Sequence, residues 1–178
     1  QLLESICHEP EVKRAMIFVR TKHGAEKVLD KLEQQGMSVD AVHGNKSQNA
    51  REHALERFRK GHTRLLVCTD VAARGIDVDG VTHVFNFDLP DVPEAYVHRI
   101  GRTGRIGANG IAIAFVSPDQ GERLTNVEMF INQILEKRET EGFESVRPKD
   151  PVGEKPPEAP KQSQPVFGRR VKKYSNRL

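Results

Sequence analysis

The chain has no tryptophan and only two cysteines in 178 residues. Cys7 and Cys68 are too few and too far apart for a disulfide framework or a structural zinc site. Cys68 falls in an apolar run and is expected to be a buried, reduced thiol. No apolar stretch approaches the roughly 18 residues that span a bilayer, and no signal-peptide pattern opens the sequence. A phosphate-cradling loop of the G-x-x-x-x-G-K-S/T kind is also missing. The nearest string, Gly44-Asn45-Lys46-Ser47, lacks the Gly-Lys-Ser order and the upstream glycine. The seven histidines show no metal-ligand spacing, and no nucleophile is paired with a base. These absences point to a cytoplasmic chain with no resident metal. The first residue is Gln rather than Met, as expected of a piece cut from a longer polypeptide.

A strong overall charge is lacking as well. The formal net charge is +3, but it is unevenly placed: from residue 143 onward there are 9 Lys/Arg against 4 Asp/Glu and six of the ten prolines. The body is therefore slightly acidic, and any nucleic-acid binding there must come from local sites. The segment 143–178 is expected to be a disordered, basic, Pro-rich tail. Its end, from Arg169 to Tyr174, sets an aromatic among charges, which suits either attraction to a phosphate backbone or simple solubility.

Residues 1–142 are expected to form one α/β domain. Short apolar runs at 15–19, 39–42, 64–68, 81–87 and 111–116 read as buried strands, and amphipathic stretches between them read as helices. Thr21 and Ser47 are placed to cap helices that Gly36 and Gly61 end. Pro118 opens a long helix with Leu124, Val127, Ile131, Ile134 and Leu135 on one face. Strands alternating with helices at this spacing imply a parallel sheet with helices on both faces. Ligands of such sheets gather beyond the carboxyl ends of the strands. Thr21-Lys22, His43-Gly44, Thr69-Asp70 and Asp88 should therefore share one rim.

Three constellations fall on or near that rim. The stretch from Tyr96 to Gly107, Y-V-H-R-I-G-R-T-G-R-I-G, packs His98, Arg99, Arg102 and Arg105 into eight residues. The three arginines are three apart and are expected to project to roughly the same side, where a polyanion would relieve their repulsion. Residues 69–77, T-D-V-A-A-R-G-I-D, offer a Thr hydroxyl for a phosphate oxygen and aspartates suited to ribose hydroxyls. Gly44 with Gln48 and Arg51 places a turn and a helix N-terminus where backbone N–H groups and a guanidinium can clamp a phosphate. Taken singly, each is equally compatible with a solvated loop or helix face.

Taken together, these stretches resemble the second RecA-like domain of a DEAD-box RNA helicase. Residues 17–22 resemble motif IV, and Gln48 with Arg51 resembles its Q-x-x-R element. Residues 69–77 match motif V, 84–90 the segment that follows it, and 98–105 motif VI. The wording around 20–24 and 43–48 is similar to the bacterial RhlE-like subgroup. The resemblance covers residues 2 to 137 and implies a P-loop-NTPase-like fold. It implies that Arg102 and Arg105 act as arginine fingers on the γ-phosphate of ATP, and that His98 couples to the first domain. Arg99 would brace the loop from within, and Gly75 and Asp77 would approach the nucleotide. Thr21, Gly44, Gln48, Arg51 and Thr69 would hold the RNA backbone. The stretches that in this family hold Mg²⁺ and most of the ATP belong to the N-terminal RecA-like domain and are not in this chain. The resemblance therefore implies an ATP-dependent RNA helicase as the full-length protein, with this piece inactive alone. A superfamily 2 DNA motor, or a non-enzymatic RNA-binding or partner-docking module, remains open at this point. Against the DNA motor, His98 stands where those relatives usually carry Gln.

Overall fold

Five apolar runs become five short strands. In a computed structural model, which describes residues 1–104, 109–138 and 140, they are β1 (Ala15–Phe18), β2 (Val39–Val42), β3 (Leu65–Cys68), β4 (His83–Asn86) and β5 (Ile111–Ala114). All pair in parallel, in the order β2-β3-β1-β4-β5. The helices between them are α1 (Leu2–Cys7), α2 (Lys22–Gln34), α3 (Gln48–Arg59), the single turn α4 (Asp70–Ala73), α5 (Pro93–Ile100) and α6 (Gly121–Ile131). The described residues lie in the first of two units, Gln1–Glu144 and Ser145–Leu178. The basic Pro-rich tail expected at 143–178 lies outside them, as do Arg105 and Gly107.

Alternation along each strand divides the core into two layers. Ala15, Ile17, Val67 and Phe85 pack with Val28, Leu29 and Leu32 of α2 and with Leu3 and Ile6 of α1. Met16, Phe18, Leu66 and Val84 face the other way, onto Ala54 and Phe58 of α3 and onto Ala72 and Ile76. Both layers are needed because β1, β3 and β4 are buried along their whole lengths. Burial pushes the Cys68 thiol well above its ordinary range and the Cys7 thiol up to about 12, so both are protonated and inert near neutral pH.

Local chemistry sets the helix ends. The Thr21 hydroxyl accepts a hydrogen bond from the Gly24 N–H at 3.0 Å, and the Ser47 hydroxyl one from the Ala50 N–H at 3.2 Å. Each cap is worth about 1 kcal/mol. Gly36 and Gly61, with φ of 72° and 75°, supply the left-handed residues that end α2 and α3. Two expectations fail. The long helix after Pro118 is a 3₁₀ turn followed by α6, which stops at Ile131. Asn132 turns left-handed (φ 52°, ψ 41°), so Ile134 is left 81% exposed, while Leu135 still reaches the small cluster of Leu89, Tyr96 and Val127. The stretch 69–80, expected from its two glycines and weak periodicity to be a loop, instead begins with α4. Among the described residues no helix is long and apolar enough to cross a membrane.

Candidate functional site

The pairing register makes the carboxyl ends of the strands level. Val42 lies opposite Cys68, Cys68 opposite Phe18, Phe18 opposite Asn86, and Asn86 opposite Ala114. The segments leaving β1 to β4 therefore emerge side by side, and the expected common rim is present.

Its centre is a buried cation. Arg99, on the last turn of α5, is only 1% exposed. Its Nε and Nη2 donate to the two carboxylate oxygens of Asp70 at 2.6 and 2.7 Å. Nη1 donates to Asn86 Oδ1 at 3.1 Å and to the Asp88 carbonyl at 2.6 Å, and the guanidinium carbon lies 5.3 Å from the Phe18 ring centroid. A guanidinium can be buried this way because its fork matches a carboxylate bidentately and its flat face suits an aromatic ring. Arg99 thus ties α5 to the residues leaving β3 and β4. The expectation that Arg99, Arg102 and Arg105 share a side fails here. Arg99 lies within α5 and faces the sheet, whereas Gly101 ends the helix, so a three-residue step beyond it no longer preserves direction. Arg105 lies outside the described residues.

On one flank of Arg99 stand the groups expected near a nucleotide. Arg102 is half-buried. Its Nη1 donates to the Ile76 carbonyl at 2.7 Å, and its Nε to the His98 carbonyl at 3.2 Å. These bonds hold the guanidinium across the loop that carries Gly75 and Asp77. Gly75 sits at φ 75°, where a side chain is strained although no atom lies within 4 Å of where its Cβ would be. His98 and Asp77 are exposed. Among the described residues no three of His, Cys, Asp or Glu gather as a metal site. The guanidinium of Arg102, by contrast, suits a phosphate.

The other flank is built from helix starts. Thr21 caps α2. Its hydroxyl accepts from Gly24, which leaves the proton to donate outward. Gln48 opens α3, with Arg51 one turn on. Gln48 Nε2 donates to Glu52 at 2.7 Å, Arg51 Nη1 reaches Gln48 Oε1 at 3.4 Å, and the buried Arg51 Nε has no hydrogen-bond partner. Gly44 is exposed, and a Cβ there would meet nothing within 4 Å, so no contact inside the fold demands a glycine. Thr69 precedes α4, and its hydroxyl makes no capping bond. Thr21 thus borders the N-terminus of α2, and Gly44, Gln48 and Arg51 that of α3, where orphan N–H groups and the helix dipoles attract anions, while Thr69 precedes the single turn α4.

The turn that carries Gly44 is fixed from behind by His43, which is fully buried. Its Nδ1 accepts from the Asn45 N–H at 3.4 Å, and its Nε2 lies 3.0 Å from Glu26 Oε1. Lys46 Nζ lies 3.1 Å from the same carboxylate oxygen. Burial lowers the His43 pKa below its usual value, against the pull of Glu26, so the ring is neutral at pH 7.

Asn86, Asp88, Glu26 and His43 are site residues that the motif reading left without a role, although His43 and Asp88 were placed on the rim. A polar residue between Phe85 and Phe87, at the end of a buried strand, was the available signal for Asn86.

Comparison with known proteins adds the following. Residues 1–107 match the helicase conserved C-terminal domain family. The DEAD-box ATP-dependent RNA helicase CshA of Bacillus cereus is 45% identical over 123 residues, which are 69% of this chain and 23% of the relative. The chain therefore spans about a quarter of the length of that relative. The E. coli DEAD-box protein SrmB, solved bound to regulator of ribonuclease activity A, superposes with a TM-score of 0.76 at 36% identity, covering 86% of this chain and 89% of that one. S. cerevisiae Dbp5, solved bound to RNA and ADP BeF3, gives a TM-score of 0.67 at 35% identity over 75% of this chain and 35% of its own.

Proposed function

The chain belongs to the helicase conserved C-terminal domain family, among the DEAD-box proteins, and from that premise we propose that it is the second RecA-like lobe of an ATP-dependent RNA helicase. The observation that carries the reading is the division of one rim about Arg99, with helix N-termini on one side and a guanidinium aimed across a glycine loop on the other. The Dbp5 structure, named for its complex with RNA and ADP BeF3, supports both ligands by analogy.

On this reading Thr21, Gly44, Gln48, Arg51 and Thr69 bind RNA by its phosphates and riboses. Such contacts carry little base information, so binding is insensitive to sequence. Gly75 and Asp77 approach the ATP ribose and phosphates, and His98 meets the first lobe. Arg102 and Arg105 are the arginine fingers, neutralising charge on the transferring γ-phosphoryl group. Fingers of this kind contribute on the order of 10³–10⁵ in rate. Mg²⁺ would be held by the first lobe and would supply neutralisation of the phosphate charge. The lobe alone binds nucleotide feebly and does not turn it over. The protein acts in the cytoplasm, and the functional domain is bounded near Gly142. The RhlE-like affinity rests on the wording at 20–24 and 43–48, since the relative described above is a CshA.

The test uses the full-length protein. Arg102→Ala and Arg105→Ala should each lower RNA-stimulated ATP hydrolysis by about 10³-fold or more while RNA binding stays within about twofold. Retained turnover refutes the finger role. Equal stimulation of the wild type by DNA and RNA overturns the RNA assignment.

A further inference from the structure

The flank at Gly44 carries a cation that is turned away from it. Lys46 stands two residues past Gly44 and directly before Ser47, the cap of α3. Its backbone therefore lies where the flank would meet an anion, yet its ammonium reaches back to α2. Lys46 Nζ lies 3.1 Å from Glu26 Oε1 and donates to Glu26 Oε2 at 3.4 Å. The same Oε1 lies 3.0 Å from His43 Nε2. That ring is neutral at pH 7, since burial lowers its pKa, so the charge on Glu26 is answered by Lys46. Both side chains of the pair are part-buried, and salt in solution screens them only in part.

We propose that Glu26 is a positioning residue that limits the grip of this flank on RNA, by holding Lys46 back from the phosphate backbone. This rests on the function proposed above. An ion pair kept only to fasten the turn would be redundant. The turn is closed by its own main chain, with the Lys46 N–H donating to the His43 carbonyl at 3.1 Å, and His43 Nδ1 accepts the Asn45 N–H. A part-exposed pair of this kind also contributes little to stability. What the pair changes is the charge that the flank presents. A free lysine beside the start of α3 would add a phosphate contact and release a counterion when RNA binds. A lysine already neutralised by a carboxylate does neither. RNA is then held by the groups named above and leaves without breaking a contact to Lys46.

The experiment measures the affinity of the full-length protein for a single-stranded uridine oligomer over a series of salt concentrations, with a non-hydrolysable ATP analogue present. Glu26→Gln keeps the size of the side chain and an oxygen to face His43, and it removes the charge that holds Lys46. It should raise RNA affinity by about fivefold, the equivalent of one added hydrogen bond. The slope of log affinity against log salt should steepen by about 0.7, the share of one phosphate contact on a single strand. Most of the gain should appear as slower dissociation. Lys46→Ala alone should leave the slope unchanged and the affinity within about twofold, because a lysine that touches no phosphate has no share in either. In the double variant both gains should vanish. That step separates the held-back lysine from the mere removal of a negative charge near the RNA. A shallower slope in Lys46→Ala overturns the proposal, since Lys46 would then already touch RNA. So does a Glu26→Gln protein with no gain, or a gain that survives in the double variant. A wild type that does not bind the oligomer overturns the functional reading and this inference with it. A wild type that binds the oligomer and gives any of those three results overturns the inference alone.

Discussion

The two flanks of the rim both suit an anion, and they do so with different parts. The flank at Thr21, Gly44, Gln48 and Arg51 relies on backbone: two capped helix starts and an open glycine, with one guanidinium lying along a helix. The flank at Gly75 and Arg102 relies on a guanidinium that two carbonyls hold across a loop. Helix N-termini are worth some tenths of a kcal/mol each toward an exposed anion and are screened by salt. They suit a long polyanion gripped at many points and released. A fixed guanidinium concentrates charge at one atom, which suits a phosphate whose charge changes as it reacts. The lesson is that the first flank should tolerate single changes and the second should not.

Between the flanks, Arg99 is held to a stricter standard than either, and removing its counter-ion should be the costliest change to folding. Asp70→Ala leaves a guanidinium that is 1% exposed without its bidentate carboxylate. Breaking a buried pair from one side typically costs about 3–5 kcal/mol. Asp70 itself is 39% exposed, and water reaching the vacated site softens the penalty toward the lower figure. Urea unfolding of the 178-residue chain should show the loss as a lower midpoint at unchanged slope. A midpoint equal to wild type would falsify the role of Arg99 as the shared support, and the two flanks would then have to be treated as independent.

Why the sequence reveals the flanks but not their support can be argued from particular residues. Thr21 and Ser47 act as caps because capping depends on neighbours three residues away, and Gly36 and Gly61 end helices for equally local reasons. The rim followed from strand–helix alternation alone. Arg99 was different. Three arginines at equal spacing look equivalent in a string, and only packing of α5 on the sheet separates the one facing Phe18 from the one past Gly101. Its partners Asp70, Asn86 and Asp88 stand 29, 13 and 11 residues away, beyond any local pattern. The order β2-β3-β1-β4-β5 was similarly out of reach. The early end of α6 is a conformational choice at Asn132, whose short amide tolerates the left-handed region, and an apolar stripe running on to Ile134 gives no warning of it.

A milder change tests the tolerant flank. Thr21→Val keeps the shape of the side chain and removes the hydroxyl, so both the cap on α2 and any bond to a phosphate go at once. Losing the cap should cost the chain about 1 kcal/mol. In the full-length protein, RNA affinity should fall by roughly fivefold, the equivalent of one ordinary hydrogen bond at about 1 kcal/mol. ATP affinity without RNA should be unchanged. Thr21→Ser returns the hydroxyl and should recover both losses. If Thr21→Val weakened RNA binding a hundredfold or more, the flank would not be the distributed grip described above, and the contrast with Arg102 would collapse.

The smallest effect is silent at neutral pH and appears only on acidification. His43, behind the Gly44 turn, and His83, at the start of β4, are both buried, and burial lowers both below the ordinary value of 6.5. Glu26 opposes that shift at His43, while Lys46 and His23 reinforce it. At His83, Glu9 and Glu11 oppose it and Arg138 reinforces it. Below 6.5 the unfolded chain takes up protons that the folded one refuses. The stability these groups contribute is therefore complete above 6.5 and declines as pH falls from there toward their folded values. Urea midpoints measured from pH 7.5 down to 5.5 should drop across that window. His43→Asn should flatten part of the slope, and adding His83→Asn should flatten more. His43 lies beneath the backbone flank, so the first variant also reports whether that flank loosens in acid. Amide exchange at Asn45 in the wild type should quicken as the folded His43 ring, whose value lies below 6.5, takes up its proton and can no longer accept the N–H. Exchange there that does not change across the pH range in which the His43 ring resonances titrate, once corrected for the intrinsic rate, would mean that the Gly44 turn is held without His43.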